Sequence, residues 1–170
     1  MNLVRLLKPE MILMELETTE LPDEERDEIS PAKYNTAQKE RVLTELVDLL
    51  EVSGRVGNRG KLLTDFVNRE KKASCGLAHG VAIPHVRSIH AKEFLLGFAR
   101  STPGLAYDCL DEEPAHLFFV MAAPPYDDTS YLRIYKQLAE LFSGRDVRQA
   151  FMDAESPGEI LRTFKSFQQG

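Results

Sequence analysis

Residues 69–87 read Arg69-Glu70-Lys71-Lys72-Ala73-Ser74-Cys75-Gly76-Leu77-Ala78-His79-Gly80-Val81-Ala82-Ile83-Pro84-His85-Val86-Arg87. A loop of small residues leads into a short apolar run that suits a strand. Pro84 has no N–H and a fixed φ, so the run is expected to end there and to present His85 at a strand end, outside the ladder. Arg69 stands before the loop and Arg87 just after the histidine. Small residues let backbone N–H groups come close to an anion. An imidazole beside anion-binding groups is neutral near pH 7 and nucleophilic, which suits it to take a phosphoryl group and pass it on. A lone histidine at a strand end is structural more often than catalytic, so the combination carries the reading.

Upstream, Leu62, Leu63, Phe66 and Val67 predict an amphipathic helix ending near Arg69 and Glu70. Before it, Val42, Leu46, Leu49 and Leu50 recur at helical spacing, with Thr36 as the expected N-cap and Gly54 where a C-cap belongs. Residues 3–7 read as a helical turn closed by Pro9, and residues 11–16 as an apolar strand. Residues 18–35 carry Glu20, Asp23, Glu24, Glu25, Asp27 and Glu28 with two prolines, and read as an acidic, solvated, mobile insertion.

Downstream, residues 93–99 and 117–123 suit strands. The second, LFFVMAA, is apolar on both alternating faces and so belongs in the middle of a sheet. Tyr131, Tyr135, Leu138 and Phe142 mark a helix over 129–142, and Val147 and Phe151 a shorter one after Gly144. Ser156-Pro157-Gly158-Glu159 is a capping box opening a last helix, whose buried stripe is read as Ile160, Leu161, Phe164 and Phe167. Helices, strands, then helices with short connections indicate one layered α/β domain over residues 1–170.

Composition narrows the function classes. A chain of 170 residues that is 43% hydrophobic supports one sizeable core. With 21 Lys and Arg against 27 Asp and Glu, it lacks the net basic character of a sequence-independent nucleic-acid binder. There is no run of about eighteen apolar residues to span a bilayer, and the N-terminus lacks the pattern of a secretory signal. Two cysteines, Cys75 and Cys109, suggest no disulfide framework, and a reduced cytoplasmic protein is expected.

The run GVAIPH (Gly80–His85), behind an Arg-Glu pair and a Ser-x-Gly loop, resembles the phosphorylation-site signature of enzyme IIA domains of the mannitol/fructose class of the sugar phosphotransferase system. The stand-alone nitrogen-regulatory branch of that class is similar in length. The strand LFFVMAAP and the helix after it are also similar to the family. The resemblance implies a mixed central β-sheet with helices on both faces. It implies that His85 accepts phosphate from an HPr-type phosphocarrier and that Arg69 stabilises the phosphohistidine. Ser74, with N–H groups around Gly76 and Gly80, would add hydrogen bonds, and Arg87 matches a position often basic in the nitrogen-regulatory branch. An enzyme IIB cysteine or a regulatory target protein is the implied onward partner.

The chain departs from the family pattern. Tyr131 stands where a second histidine is usual, and a phenol does not become a cation near neutral pH. Cys75 replaces a common threonine, Ala78 a glycine, and His79 a polar Asn or Glu, so that His79 places an imidazole in the loop. Three readings follow from the resemblance: a carrier acting mainly in regulation, a transporter component, or a partner-binding relative without phosphorylation. A zinc set could be drawn from Cys75, His79, His85 and His90. The tight CxxC or HxxxH pairs of intracellular structural sites are missing, so no metal or cofactor is expected.

Overall fold

The double-sided apolarity of residues 117–123 is satisfied by a sheet neighbour on each edge and helices above and below. A computed structural model describes residues 2–127 and 129–169. In chain order the elements are α1 (Leu3–Leu6), a 3-10 turn (Pro9–Met11), β1 (Ile12–Leu13), α2 (Asp23–Arg26), α3 (Pro31–Glu51), α4 (Arg59–Lys72), β2 (Val81–Ala82), β3 (His85–Arg87), β4 (Leu95–Leu105), β5 (Ala115–Ala123), α5 (Thr129–Leu141), α6 (Arg145–Asp153) and α7 (Pro157–Gln169). The sheet order is β1-β4-β5-β2, with β3 also on β5. β4 and β5 run antiparallel, and the other pairs are parallel, so the sheet is mixed as expected.

Strand alternation separates the two faces. Phe119 points toward the C-terminal helices, with its ring centroid 4.6 Å from Phe142, and Phe142 meets Phe151 edge-on at 4.8 Å. Phe164 completes this fully buried group. Phe118 points the other way, against Tyr107. Val120 shares that second face. A Cβ on Gly97 would lie 3.0 Å from Val120 and 3.1 Å from Leu49 of α3, so glycine lets helix and sheet approach. Each buried phenylalanine contributes roughly 1.5–3 kcal/mol relative to exposure.

Several local expectations are corrected. α3 begins before Thr36: Ser30 Oγ accepts the Lys33 N–H at 3.3 Å and Pro31 occupies the first turn, where its missing N–H costs nothing. Most of residues 19–33 are exposed, as their charge suggests. Their flanks are anchored: Thr18 and Tyr34 are buried, Thr18 bonds to Glu45, and Glu20 accepts from the Tyr34 hydroxyl and the Ala106 N–H. The first strand spans only Ile12–Leu13, because Pro9 initiates a 3-10 turn that takes in Met11. Phe167 is 36% exposed, while Ile160 and Phe164 are fully buried. In the capping box, Ser156 Oγ accepts the Glu159 N–H, whereas the Glu159 carboxylate reaches the N–H of Glu155. Among the described residues, no helix is long and apolar enough to cross a membrane.

Candidate functional site

His85 opens β3, a placement that overturns its expected exclusion from the ladder. Ala82 pairs with Phe118 and His85 with Met121, so β2 and β3 follow β5 in one register across Ile83 and Pro84. Pro84 removes one ladder donor, but its carbonyl still accepts the Met121 N–H at 2.9 Å. The histidine is therefore fixed by the sheet. It lies on the edge opposite β1, and shares the face of its partner Met121.

That edge position lets two helices from opposite faces meet the imidazole. Tyr131 and Tyr135, one turn apart on α5, place their ring centroids 5.7 and 4.6 Å from the His85 ring. From the last turn of α4, Arg69 Nη2 lies 3.4 Å from His85 Nε2, while Arg69 Nη1 donates to the Ala73 carbonyl at 2.9 Å. Arg87 follows two residues after His85 on the same side of the strand, and its guanidinium lies 4.8 Å from the Tyr131 ring centroid.

The tautomer follows from the contacts. His85 Nδ1 is 2.6 Å from the Ile83 carbonyl, which can only accept, so Nδ1 carries the proton. Nε2 then holds the lone pair and faces a guanidinium. Burial lowers the His85 pKa below its ordinary 6.5; the Ile83 carbonyl opposes this, Arg69 adds to it and Glu70 opposes it. A neutral, oriented nucleophile results. Burial likewise raises the Tyr131 and Tyr135 phenols, so both remain protonated donors.

Beside His85 lies an open cleft of about 480 Å³ lined by Asp65, Asn68, Arg69, Lys72, Arg87 and Tyr131, among others. Among the described lining residues, Arg69, Lys72 and Arg87 are cations and Asp65 is a carboxylate.

The structure separates the remaining predicted residues from His85 or engages them elsewhere. Ser74 Oγ donates to the Tyr107 carbonyl and accepts the Gly76 N–H at 3.1 Å, so that N–H is already bonded within the loop. Residues 75–77 fold back along β2: Leu77 N–H bonds to Val81, and the Cys75 carbonyl accepts from Ile83. The loop thus covers a sheet edge. Gly76 is needed for this close approach, since a Cβ would lie 2.9 Å from Cys109 and the Tyr107 carbonyl. Gly80 sits at the far end of the strand, where its carbonyl accepts from His116 and Leu117. His79 is exposed beside it, its N–H bonded to Asp111 at 2.9 Å. Among the described residues, no three His, Cys, Asp or Glu converge as a metal site. Burial pushes the Cys75 thiol up to about 12, which suppresses its nucleophilic form.

Two neighbours escaped the sequence reading. The sequence marks Tyr135 only as a helix position, yet its spacing from Tyr131 puts it on the same face, against the His85 ring. Glu70 looked like part of a charged helix end, yet it is 7% exposed and accepts the Cys75 N–H at 2.8 Å.

An edge-strand imidazole with one free nitrogen facing an arginine, on a mixed sheet between helices, defines a histidine-centred α/β module. Residues 25–167 match the family described as "Phosphoenolpyruvate-dependent sugar phosphotransferase system, EIIA 2", and the chain belongs to that family. It is 33% identical over 120 residues to the fructose-specific EIIA component of Haloferax volcanii, covering 71% of this chain and 78% of that protein. It is 32% identical over 124 residues to the fructose-specific EIIABC component of Bacillus subtilis (73% of this chain), but spans only 20% of that longer protein. The nitrogen regulatory protein IIA-Ntr of Neisseria meningitidis superposes with a TM-score of 0.79 at 25% identity, over 95% of this chain and 98% of that one. The Escherichia coli enzyme IIA of the mannitol system, solved in complex with phosphorylated IIB, shares the fold with a TM-score of 0.71 at 16% identity, over 95% and 99% of the two chains.

Proposed function

We propose that His85 Nε2 accepts a phosphoryl group from an HPr-type phosphocarrier and that the phosphorylated domain acts mainly in regulation. The observation that carries this reading is the pair of His85 contacts: Nδ1 on the Ile83 carbonyl at 2.6 Å and Nε2 toward Arg69 at 3.4 Å. The Nε2 lone pair attacks phosphorus, the donor's P–N bond breaks, and its electron pair stays on the donor imidazole. Arg69 offsets charge on the phosphoryl oxygens throughout. No cofactor enters this step. Residues 1–170 act as one enzyme IIA-like domain, in the cytoplasm where such a donor works.

Regulation is supported by the likeness to IIA-Ntr and by Tyr131, which supplies no second imidazole for onward transfer. Transfer to an enzyme IIB cysteine is the second reading, supported by the 32–33% identity to the fructose-specific EIIABC and EIIA components. Incubation with phosphoenolpyruvate, enzyme I and an HPr-type protein should label the wild type with an acid-labile, base-stable phosphate. His85→Ala should take up none; label retained there would falsify the assignment.

A further inference from the structure

The residue after Arg69 is a buried carboxylate that the proposed transfer leaves unused. Glu70 Oε1 accepts the Cys75 N–H at 2.8 Å and lies 3.5 Å from Lys39 Nζ, while Oε2 accepts the Tyr107 hydroxyl at 3.4 Å. These partners come from the loop after α4, from α3, and from the segment after β4. Lys39 is also shielded, with a side chain 12% exposed, and its Nζ reaches Asp108 at 2.9 Å. Consecutive helical residues point about 100° apart. Arg69 can therefore turn over the sheet edge to His85 while Glu70 turns inward. A neutral side chain could hold one N–H. A buried anion near an arriving phosphoryl dianion is unfavourable unless a cation balances it.

We propose that Glu70 and Lys39 are a positioning pair for phosphorylation of His85. Glu70 fixes the turn from α4 into residues 73–76 through the Cys75 N–H. The turn places the Ala73 carbonyl, which receives Arg69 Nη1 at 2.9 Å and so directs Nη2 toward His85 Nε2. Lys39, shared with Asp108, offsets part of the charge that Glu70 would otherwise present to the phosphoryl group. This inference rests on His85 being the phosphoryl acceptor.

The test is a double-mutant cycle on the full chain, using Glu70→Ala, Arg69→Met and their combination, with phosphorylated HPr-type protein as donor. Glu70→Ala should lower the maximal phosphorylation rate about five- to thirtyfold with little change in the donor KM, as expected of a misplaced guanidinium. The double variant should be no slower than Arg69→Met alone, within about threefold, because both changes act through one group. The Arg69 Nε–H NMR signal should broaden in Glu70→Ala. Lys39→Met should shorten the lifetime of phosphorylated His85, and adding Glu70→Gln should restore it. If Glu70→Ala does not fold, Glu70→Gln carries the cycle, since it keeps an acceptor for Cys75 and loses only the charge. It should label within about threefold of wild type and abolish the effect of Lys39→Met, and an unchanged Lys39→Met effect in that background overturns the pair. Labelling of Glu70→Ala at the wild-type rate, or effects of Glu70→Ala and Arg69→Met that multiply in full, overturns the pair while leaving His85 as the acceptor. Absence of label on wild-type His85 overturns the parent reading and this inference together.

Discussion

Replacing Arg69 with Met keeps most of the aliphatic stem and removes a cation that faces His85 Nε2. At about 4 Å, a guanidinium and a unit negative charge on a phosphoryl oxygen interact by about 1 kcal/mol in bulk water and about 4 kcal/mol at an effective dielectric of 20. Arg69 and His85 are half-buried, so the contribution falls between these limits. Hydrogen bonds to charged groups typically net about 1.5–3 kcal/mol, and a value of about 2 kcal/mol corresponds to roughly thirtyfold in rate. The same change acts oppositely on the free imidazole. Arg69 helps to hold the His85 pKa down, so its loss should move that pKa toward 6.5 and shift the acid limb of the rate profile to higher pH. Phosphate incorporation from the phosphorylated donor between pH 5 and 8, with an NMR titration of the imidazole, measures both effects. A rate within threefold of wild type, together with an unchanged or lower His85 pKa, would refute the electrostatic role.

Tyr131→His should raise the phosphorylation rate about fivefold, corresponding to about 1 kcal/mol from an added imidazole donor beside His85; a slower variant counts against Tyr131 as a limiting substitution. Because burial depresses the His85 pKa, its contribution to stability is fully present above pH 6.5 and is lost as pH falls through the lowered folded value. Urea unfolding from pH 7.5 downward should therefore show wild type losing more stability than His85→Gln below 6.5, and parallel curves would contradict this. Gly76→Ala should destabilise the fold by about 1–3 kcal/mol, since its Cβ would sit 2.9 Å from Cys109 and the Tyr107 carbonyl. An unchanged Tm would show that the loop can move aside.

The elements that sequence exposes best are those in which one physical demand dominates. LFFVMAA has no polar face, so only the middle of a sheet suits it, and β5 is found there. Ile160 and Phe164 of the last helix are buried and Leu161 packs against the core because period and capping agree, whereas Phe167 follows the period yet lies near the helix end, 36% exposed. Pro84 misleads because the rule that proline ends a strand considers only its missing N–H, while its carbonyl keeps the register alive. Arg69 and His85 were legible as a pair through the resemblance. The partners of Glu70 were not, because Lys39 and Tyr107 meet it only after three separate segments pack. Tyr135 was hidden for a related reason: an aromatic at core spacing looks the same whether it touches a leucine or a nucleophile.

The cleft beside His85 also bears on how the domain's state can be read by another molecule. Its lining holds Arg69, Lys72 and Arg87 against Asp65. A phosphoryl group on His85, as proposed, would bring roughly two negative charges near pH 7 and make this lining markedly less cationic. With the imidazole anchored in a sheet, that conversion needs no hinge, lid or refolding. A partner sensitive to surface potential can tell the loaded domain from the empty one by charge alone, and added salt should blunt the distinction.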